Sequence, residues 1–382
     1  MKIAMLLANP FRPDPRVFKE AKSLDKSGYQ VSIICWDRKK EFPPQEKIQG
    51  INIIRVQSVI STYGAGTKQL LKLPRFWKTA LNCLEDLQPD VLHCHDLDTL
   101  PIGVIYKLYN KKKLVFDAHE DYPALMRLYL PSILIKLLTL LELYLLMKVD
   151  KVIAASSELE RKYRNNRGNN IRSIGNYPEL DQFDEINQSD ITYLKQEIGL
   201  HTDKSVVCYI GGFSRNRQIE ALLTTSKNMP DTYFLLAGDG HQREMIEKHC
   251  HEYNNCYYLG WLDQNLVPIY TKLADIIYYC LKTDYLGKKF SAPNTLFNAM
   301  AAGKPIIVNN IGDLGRITSE TNCGIVIEDV SPDSIQECIN YLKSKNNRDV
   351  LGNAGRIAAK NYYNWSIAEK KLLDLYQEIS ED

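Results

Sequence analysis

The stretch SVVCYIGGFSRNRQIE (205–220) carries the architecture in miniature. Ser205–Ile210 is a run of apolar and β-branched residues, as a fully buried strand requires. Gly211 and Gly212 follow at once, and paired glycines let a backbone turn tightly and approach a ligand. Arg215 and Arg217 then present forked donors suited to phosphate, before a helical pattern begins. In open parallel sheets, ligands sit beyond the carboxyl ends of strands and beside helix N-termini. A solvated turn accounts for the glycines alone; the two arginines favour an anion site.

The same alternation of short apolar runs and helical patterns continues in both directions. Downstream, strands are expected at Tyr233–Ala237, Tyr257–Leu259, Ile276–Cys280, Pro305–Val308 and Gly324–Ile327. Upstream lies a separate series: Ile3–Ala8, Val31–Trp36, Ile51–Val56, Val91–His95, Leu114–Ala118 and Lys151–Ala155. Strands separated by helices imply parallel sheets covered on both faces. Two series imply two doubly wound α/β domains, and 382 residues exceed the roughly 250–300 at which one core stops growing. After Asn176 the chain turns polar, notably through Glu185–Asp190, so the first domain is set at 1–176 and the second at 177–365. Asp14–Pro15 and Ser331–Pro332–Asp333 read as helix starts. The last helix, 366–382, stacks Ala368, Leu372, Leu375 and Ile379 on one stripe.

Composition narrows the function. A net charge of +2 argues against a nucleic-acid binder. The nine cysteines are scattered with no CxxC pair, which suggests neither a disulfide framework nor a zinc site and points to a reducing, cytoplasmic setting. The opening MKIAMLLANP lacks a cleavage site and reads as a first strand rather than a signal peptide. Leu130–Val149 is strongly apolar, yet Pro131, Lys136, Glu142 and Lys148 argue against a spanning helix. A core-packed or a membrane-facing helix fits it. Lys68, Lys72, Arg75 and Lys78 with Leu70, Leu71, Phe76 and Trp77 form a basic amphipathic surface suited to an anionic membrane, a solvated helix face being the alternative.

Further candidates follow from the strand-end rule. In SAPNTLFNAMAAGKP (291–305) a short helix starts at Pro293–Asn294, and the backbone N–H groups of Asn294, Thr295 and Leu296 are expected to form a second anion site. A diphosphate spanning this site and the glycine–arginine turn is the economical reading. Gly238 and Gly240 end another strand. In the first domain two neighbouring strand ends carry His93, His95, Asp96 and Asp98, then Asp117, His119, Glu120 and Asp121. Burial in the strand accounts for His93, and helix capping for Asp96. Asp96-Leu97-Asp98 is similar to a DxD metal motif, but the histidine spacing matches no zinc pattern, and no metal is expected.

Taken in order, DPRVFKEAKSLDKSGYQVSII (14–34), YIGGFSRNR (209–217), FLLAGDG (234–240), SAPNTLFNAMAAGKPII (291–307) and NWSIAEKKLLDLY (364–376) resemble family 4 glycosyltransferases. The resemblance implies the GT-B architecture, two Rossmann-like domains facing a central cleft, with helix 366–382 crossing back onto the first. It implies a retaining transferase that takes a sugar from a UDP- or GDP-sugar, without a cofactor, to a glycan or lipid-linked acceptor, with peripheral attachment at the inner membrane face. Donor contacts then fall to Gly212, Arg215, Arg217, Gly238, Gly240, Asn294, Thr295, Leu296 and Asn298, and catalytic roles to His119, Glu120 and Arg217. Acceptor recognition is expected on the first domain, with Arg16 facing the cleft there. The family's usual Glu is Asn at 298, and Phe290 replaces a second Glu. Those departures leave open a non-catalytic partner of another transferase; a nucleotide-sugar epimerase of the same fold is the other rival reading.

Overall fold

The apolar runs gather into one sheet of eight strands and one of six in the computed structural model, which describes residues 1–12, 14–61, 71–127, 130–168, 170–200, 204–282 and 293–381. The first sheet contains β1 (Lys2–Leu7), β2 (Gln30–Trp36), β3 (Gln45–Ile48), β4 (Ile51–Val56), β5 (Val91–His95), β6 (Lys113–Ala118), β7 (Lys151–Ala154) and β8 (Ile171–Ser173). Their spatial order is β3-β4-β2-β1-β5-β6-β7-β8, and β3 alone pairs antiparallel, with β4. The second sheet contains β9 (Ser205–Ile210), β10 (Thr232–Ala237), β11 (Cys256–Gly260), β12 (Ile276–Tyr279), β13 (Ile306–Asn309) and β14 (Gly324–Ile327). Its order is β11-β10-β9-β12-β13-β14, all parallel.

In both sheets the chain builds outward one way from the first strand and then restarts on its other side. The switch points lie between β1 and β5 and between β9 and β12. Loops leaving such a pair diverge, which opens a space beyond their carboxyl ends. Central strands are buried on both faces, so they read as near-continuous apolar runs: β9 has Val206–Tyr209 wholly buried. The two strands that the apolar pattern did not reveal, β3 and β8, are short edge strands. Glu46 and Lys47 in the first and Arg172 in the second hid them.

The chain divides into two units, residues 1–176 with 369–382, and residues 177–368. Capping explains the helix boundaries. Asp14 accepts a hydrogen bond from the Val17 N–H ahead of the Pro15–Lys26 helix, and Ser331 does the same for Ser334 ahead of Pro332–Leu342. The final helix runs Trp365–Glu381. Its residues from 369 onward belong to the first unit, where Leu372, Leu375, Tyr376 and Ile379 are buried. All nine cysteines are free. Among the described residues no helix is long and apolar enough to cross a membrane.

Candidate active site

Beside the switch point of the second sheet, the loops after β9, β10 and β11 are laced together. The Gly211 N–H donates to Ala237 O (2.9 Å), Phe213 N–H to Asp239 O (2.8 Å) and Gly238 N–H to Gly260 O (2.7 Å). A Cβ on Gly238 would lie 1.9 Å from Gly211 O, and one on Gly240 2.9 Å from Phe213 O. Both glycines permit that close approach, and both hold positive φ, near 152° and 144°. Gly212 differs: nothing lies within 4 Å of a Cβ built there. The turn therefore packs on one side and opens on the other.

Arg217 belongs to the same turn. Its guanidinium carbon sits 5.0 Å from the centre of the Tyr279 ring, which stacks on Tyr209. The Arg217 Nε is buried without a hydrogen-bond partner. Gln242 fixes the backbone, donating from Nε2 to Ser214 O (2.6 Å) and Arg217 O (3.2 Å). Arg215 is exposed.

The Asn294–Ala302 helix begins beside this turn. Pro293 occupies its N-cap with no side-chain cap, so the first N–H groups have no capping oxygen. The Thr295 hydroxyl donates to Ile210 O (2.9 Å), pinning the helix start to the end of β9. Leu296, expected to offer its N–H, already donates it to Pro293 O (3.0 Å). The anion site on this helix thus narrows to the N–H groups of Asn294 and Thr295. Asn298 stands half-buried one turn further along, and Phe290 lies outside the described residues.

The first unit's switch point holds a buried charge cluster. Asp117, ending β6, accepts from Arg16 through both oxygens (2.9 and 2.7 Å), and its Oδ2 also lies 3.2 Å from His95 Nδ1 and 3.1 Å from His119 Nε2. Arg16 also donates to Ile174 O (2.8 Å) and is buried, so its donors are spent inside the unit; the expectation that it faces the cleft is not met. Glu20 lies 3.2 Å from Arg16 Nε, and neither of its oxygens has a hydrogen-bond partner. His93, buried as its strand position implied, meets the Tyr376 hydroxyl at 2.9 Å. Asp96 is no helix cap. It takes a positive φ of 61° and accepts the His119 N–H (3.0 Å), and its Oδ2 stands 3.6 Å from His119 Nδ1.

These neighbours set the charges. Burial opposes ionisation of Asp117, yet Arg16 and His119 hold its carboxyl well below the usual carboxylate range. Burial alone would lower His119; Asp96 and Asp117 outweigh it and push the imidazole up to about 10. Burial, then the Asp117 charge, raises Glu20 to about 8. Burial and Asp96 raise Asp98 to about 7. His93 and His95 are lowered by burial and stay neutral. Glu20, His93, His95 and Asp117 also bring ligand atoms within 4.8 Å of one another. Arg16 already occupies that space electrostatically, and a divalent cation there would press against its guanidinium. Glu120 is exposed beside His119.

Glu20 and Tyr376 were not among the residues that spacing singled out. A signal existed for Glu20: Arg16 and Glu20 share the apolar face of Val17, Ala21 and Leu24, so an i,i+4 pair of charges there must be buried. Tyr376 could be placed only by the packing of the last helix.

The model of Glycosyltransferase Family 4 matches residues 16–180, and that of Glycosyl transferases group 1 matches residues 190–358. An uncharacterized glycosyltransferase of Methanocaldococcus jannaschii is 22% identical over 379 residues, covering 94% of this chain and 92% of the relative. A GDP-mannose-dependent phosphatidylinositol monomannoside mannosyltransferase of Mycobacterium tuberculosis is 24% identical over 189 residues, 47% of this chain and 49% of the relative. Among solved structures, sucrose-phosphate synthase from Thermosynechococcus elongatus superposes with TM-score 0.82 at 18% identity, covering 100% of this chain and 99% of the other. Anabaena HepE in complex with UDP gives 0.75 at 13% identity, covering 99% and 100%. At such identities the structures speak for the fold.

Proposed function

This chain belongs to glycosyltransferase family 4 and is a transferase of the GT-B fold; we propose that it moves a sugar, with retention, from a nucleotide diphosphate sugar to an acceptor hydroxyl. One observation carries the donor assignment. The Thr295 hydroxyl ties an uncapped helix start to the end of β9, beside the open Gly212 turn and the unpartnered Arg217 Nε. Three kinds of donor thereby converge: the N–H groups of Asn294 and Thr295, the backbone at Gly212, and the Arg217 guanidinium.

The leaving diphosphate gains charge as the glycosidic bond breaks, and fixed donors aimed at it lower the barrier. A helix N-terminus contributes about 0.3–2 kcal/mol to an anion, and a charge-assisted hydrogen bond about 1.5–3 kcal/mol. Arg217 and the helix start are proposed to share that stabilisation, without a metal if they offset the diphosphate charge between them. UDP in the Anabaena structure and GDP-mannose in the mycobacterial relative's name support a nucleoside diphosphate as the common ligand.

His119 is proposed to contact the sugar. Charged at neutral pH, it serves as a hydrogen-bond donor rather than a base. Its Nε2–H is aimed at Asp117, whereas Nδ1, 3.6 Å from Asp96, retains an N–H for a sugar oxygen. Glu120, exposed beside His119, is proposed to position that sugar, and the acceptor is proposed to be a glycan or a lipid-linked one held by a peripherally bound enzyme. Nucleoside diphosphate release from UDP- and GDP-sugars is the test. Arg217→Ala is expected to lower turnover about 10–100-fold, and His119→Ala about tenfold or more. Unimpaired release by both variants would remove these roles.

A further inference from the structure

Arg217 and Tyr279 come from two stretches whose backbones are fixed against each other. Just past the end of β12, Leu281 pairs with Arg217 in an isolated antiparallel bridge. The Gln218 N–H donates to Cys280 O (3.0 Å) and the Lys282 N–H to Asn216 O (2.8 Å), one on each side of that pair. Asn309, buried at the end of β13, braces it: Oδ1 accepts the Leu281 N–H (2.9 Å) and Nδ2 donates to Leu281 O (2.7 Å). Tyr279 stands two residues before Leu281, so it is the diagonal neighbour of Arg217 across the bridge. An aromatic ring and a long side chain span that separation. The guanidinium carbon indeed lies 5.0 Å from the ring centre.

The ring is itself held. Tyr279 is 4% exposed and lies parallel to Tyr209, with 5.8 Å between centres and 3° between planes. Tyr209 is wholly buried, and its hydroxyl donates to Gly212 O (2.9 Å) in the open turn. A guanidinium resting on a ring keeps its planar fork: the face is covered while the N–H edge stays available to a phosphate. An arginine loose in water loses side-chain freedom when it grips an anion; one held in advance has lost it on folding and binds more tightly. Core packing alone explains a buried tyrosine. It does not explain a backbone register that sets a cation against the ring with Nε left unpartnered.

We propose that Tyr279 is the positioning residue for Arg217: its ring, braced by Tyr209, holds the guanidinium ready for the diphosphate before the ligand arrives. The role rests on the donor reading, which it extends. The test is calorimetric titration of the full chain with UDP, GDP, UMP and GMP. Tyr279→Leu is expected to cut the preference for a diphosphate over its monophosphate about fivefold or more, while Tyr279→Phe, which keeps the ring, retains it within about twofold. In the Arg217→Ala background Tyr279→Leu should cost less than about twofold in diphosphate affinity, since the contact it removes is already gone.

Should Tyr279→Leu melt lower than the unsubstituted chain, Tyr279→Phe carrying one, two or three ring fluorines reports instead. Fluorine draws electron density from the ring face at nearly constant size, so the preference should fall with each fluorine. The role is overturned if Tyr279→Leu keeps the full preference, if its cost is as large without Arg217 as with it, or if fluorination changes nothing. A chain that binds neither diphosphate removes the donor reading and this role with it. Loss of the preference in Arg217→Ala, while Tyr279→Leu and every fluorinated form keep it, leaves the donor reading standing and removes only the role of Tyr279.

Discussion

Glu20 has both carboxylate oxygens buried and no hydrogen bond to either. Its carboxyl rises from the ordinary 4.5 to about 8, so the native state keeps a proton that the unfolded state releases. Stability should therefore fall as pH rises from 4.5 to 8 and level off above. Glu20→Gln mimics the protonated form. It is expected to match the unsubstituted chain near pH 5 and exceed it near pH 8.5 by about 1–3 kcal/mol in urea unfolding. Equal stability at both pH values would contradict this. His119 runs the same way at higher pH, from 6.5 to about 10. Its contribution to stability is complete below 6.5 and lost as pH rises through 10, so activity that needs the imidazolium should hold a plateau to about pH 9 and then decline. At this scale spacing drew attention to Arg217 and His119, which the structure places in the turn after β9 and beside Asp117. The sequence was not legible where partners come from distant segments: Asp117 as the hub for Arg16, His95 and His119 depends on three loops meeting.

At the level of turns and helices, the glycines separate packing from binding. Gly238→Ala forces a Cβ to 1.9 Å from Gly211 O and is expected to cost about 2–4 kcal/mol of stability. Gly212→Ala meets nothing within 4 Å, so its melting curve should hold while nucleoside diphosphate affinity drops. Were both variants to lose stability alike, the open side of the turn would be misassigned. The element pattern itself was plain from the sequence, because buried parallel strands are nearly unbroken apolar runs. It failed at β3 and β8, where edge positions tolerate charge, and at Leu296, whose N–H is taken by a tight first turn that no residue type announces. Lys68 and Leu70 of the basic amphipathic stretch lie outside the described residues; of its remainder, Phe76 is buried, while Arg75 and Lys78 are exposed.

On the scale of the whole molecule, one unit is continuous in sequence and the other is not. Residues 177–368 form the second unit by themselves, whereas the first needs 369–382 to bury Leu372, Leu375 and Ile379 and to give His93 its Tyr376 partner. Ending the chain at 368 is expected to lower the melting transition of the first unit and to spare that of the second, which calorimetry resolves as separate transitions. Donor binding is assigned wholly to the second unit, and the catalytic proposal depends on that assignment. Calorimetric titration of the full chain and of Arg217→Ala with UDP, GDP and the corresponding monophosphates tests it. One diphosphate should bind at least tenfold more tightly than its monophosphate, and Arg217→Ala should erase most of that difference, roughly 1.4 kcal/mol or more. A chain that binds neither diphosphate, or an Arg217→Ala variant that keeps the full preference, would contradict it.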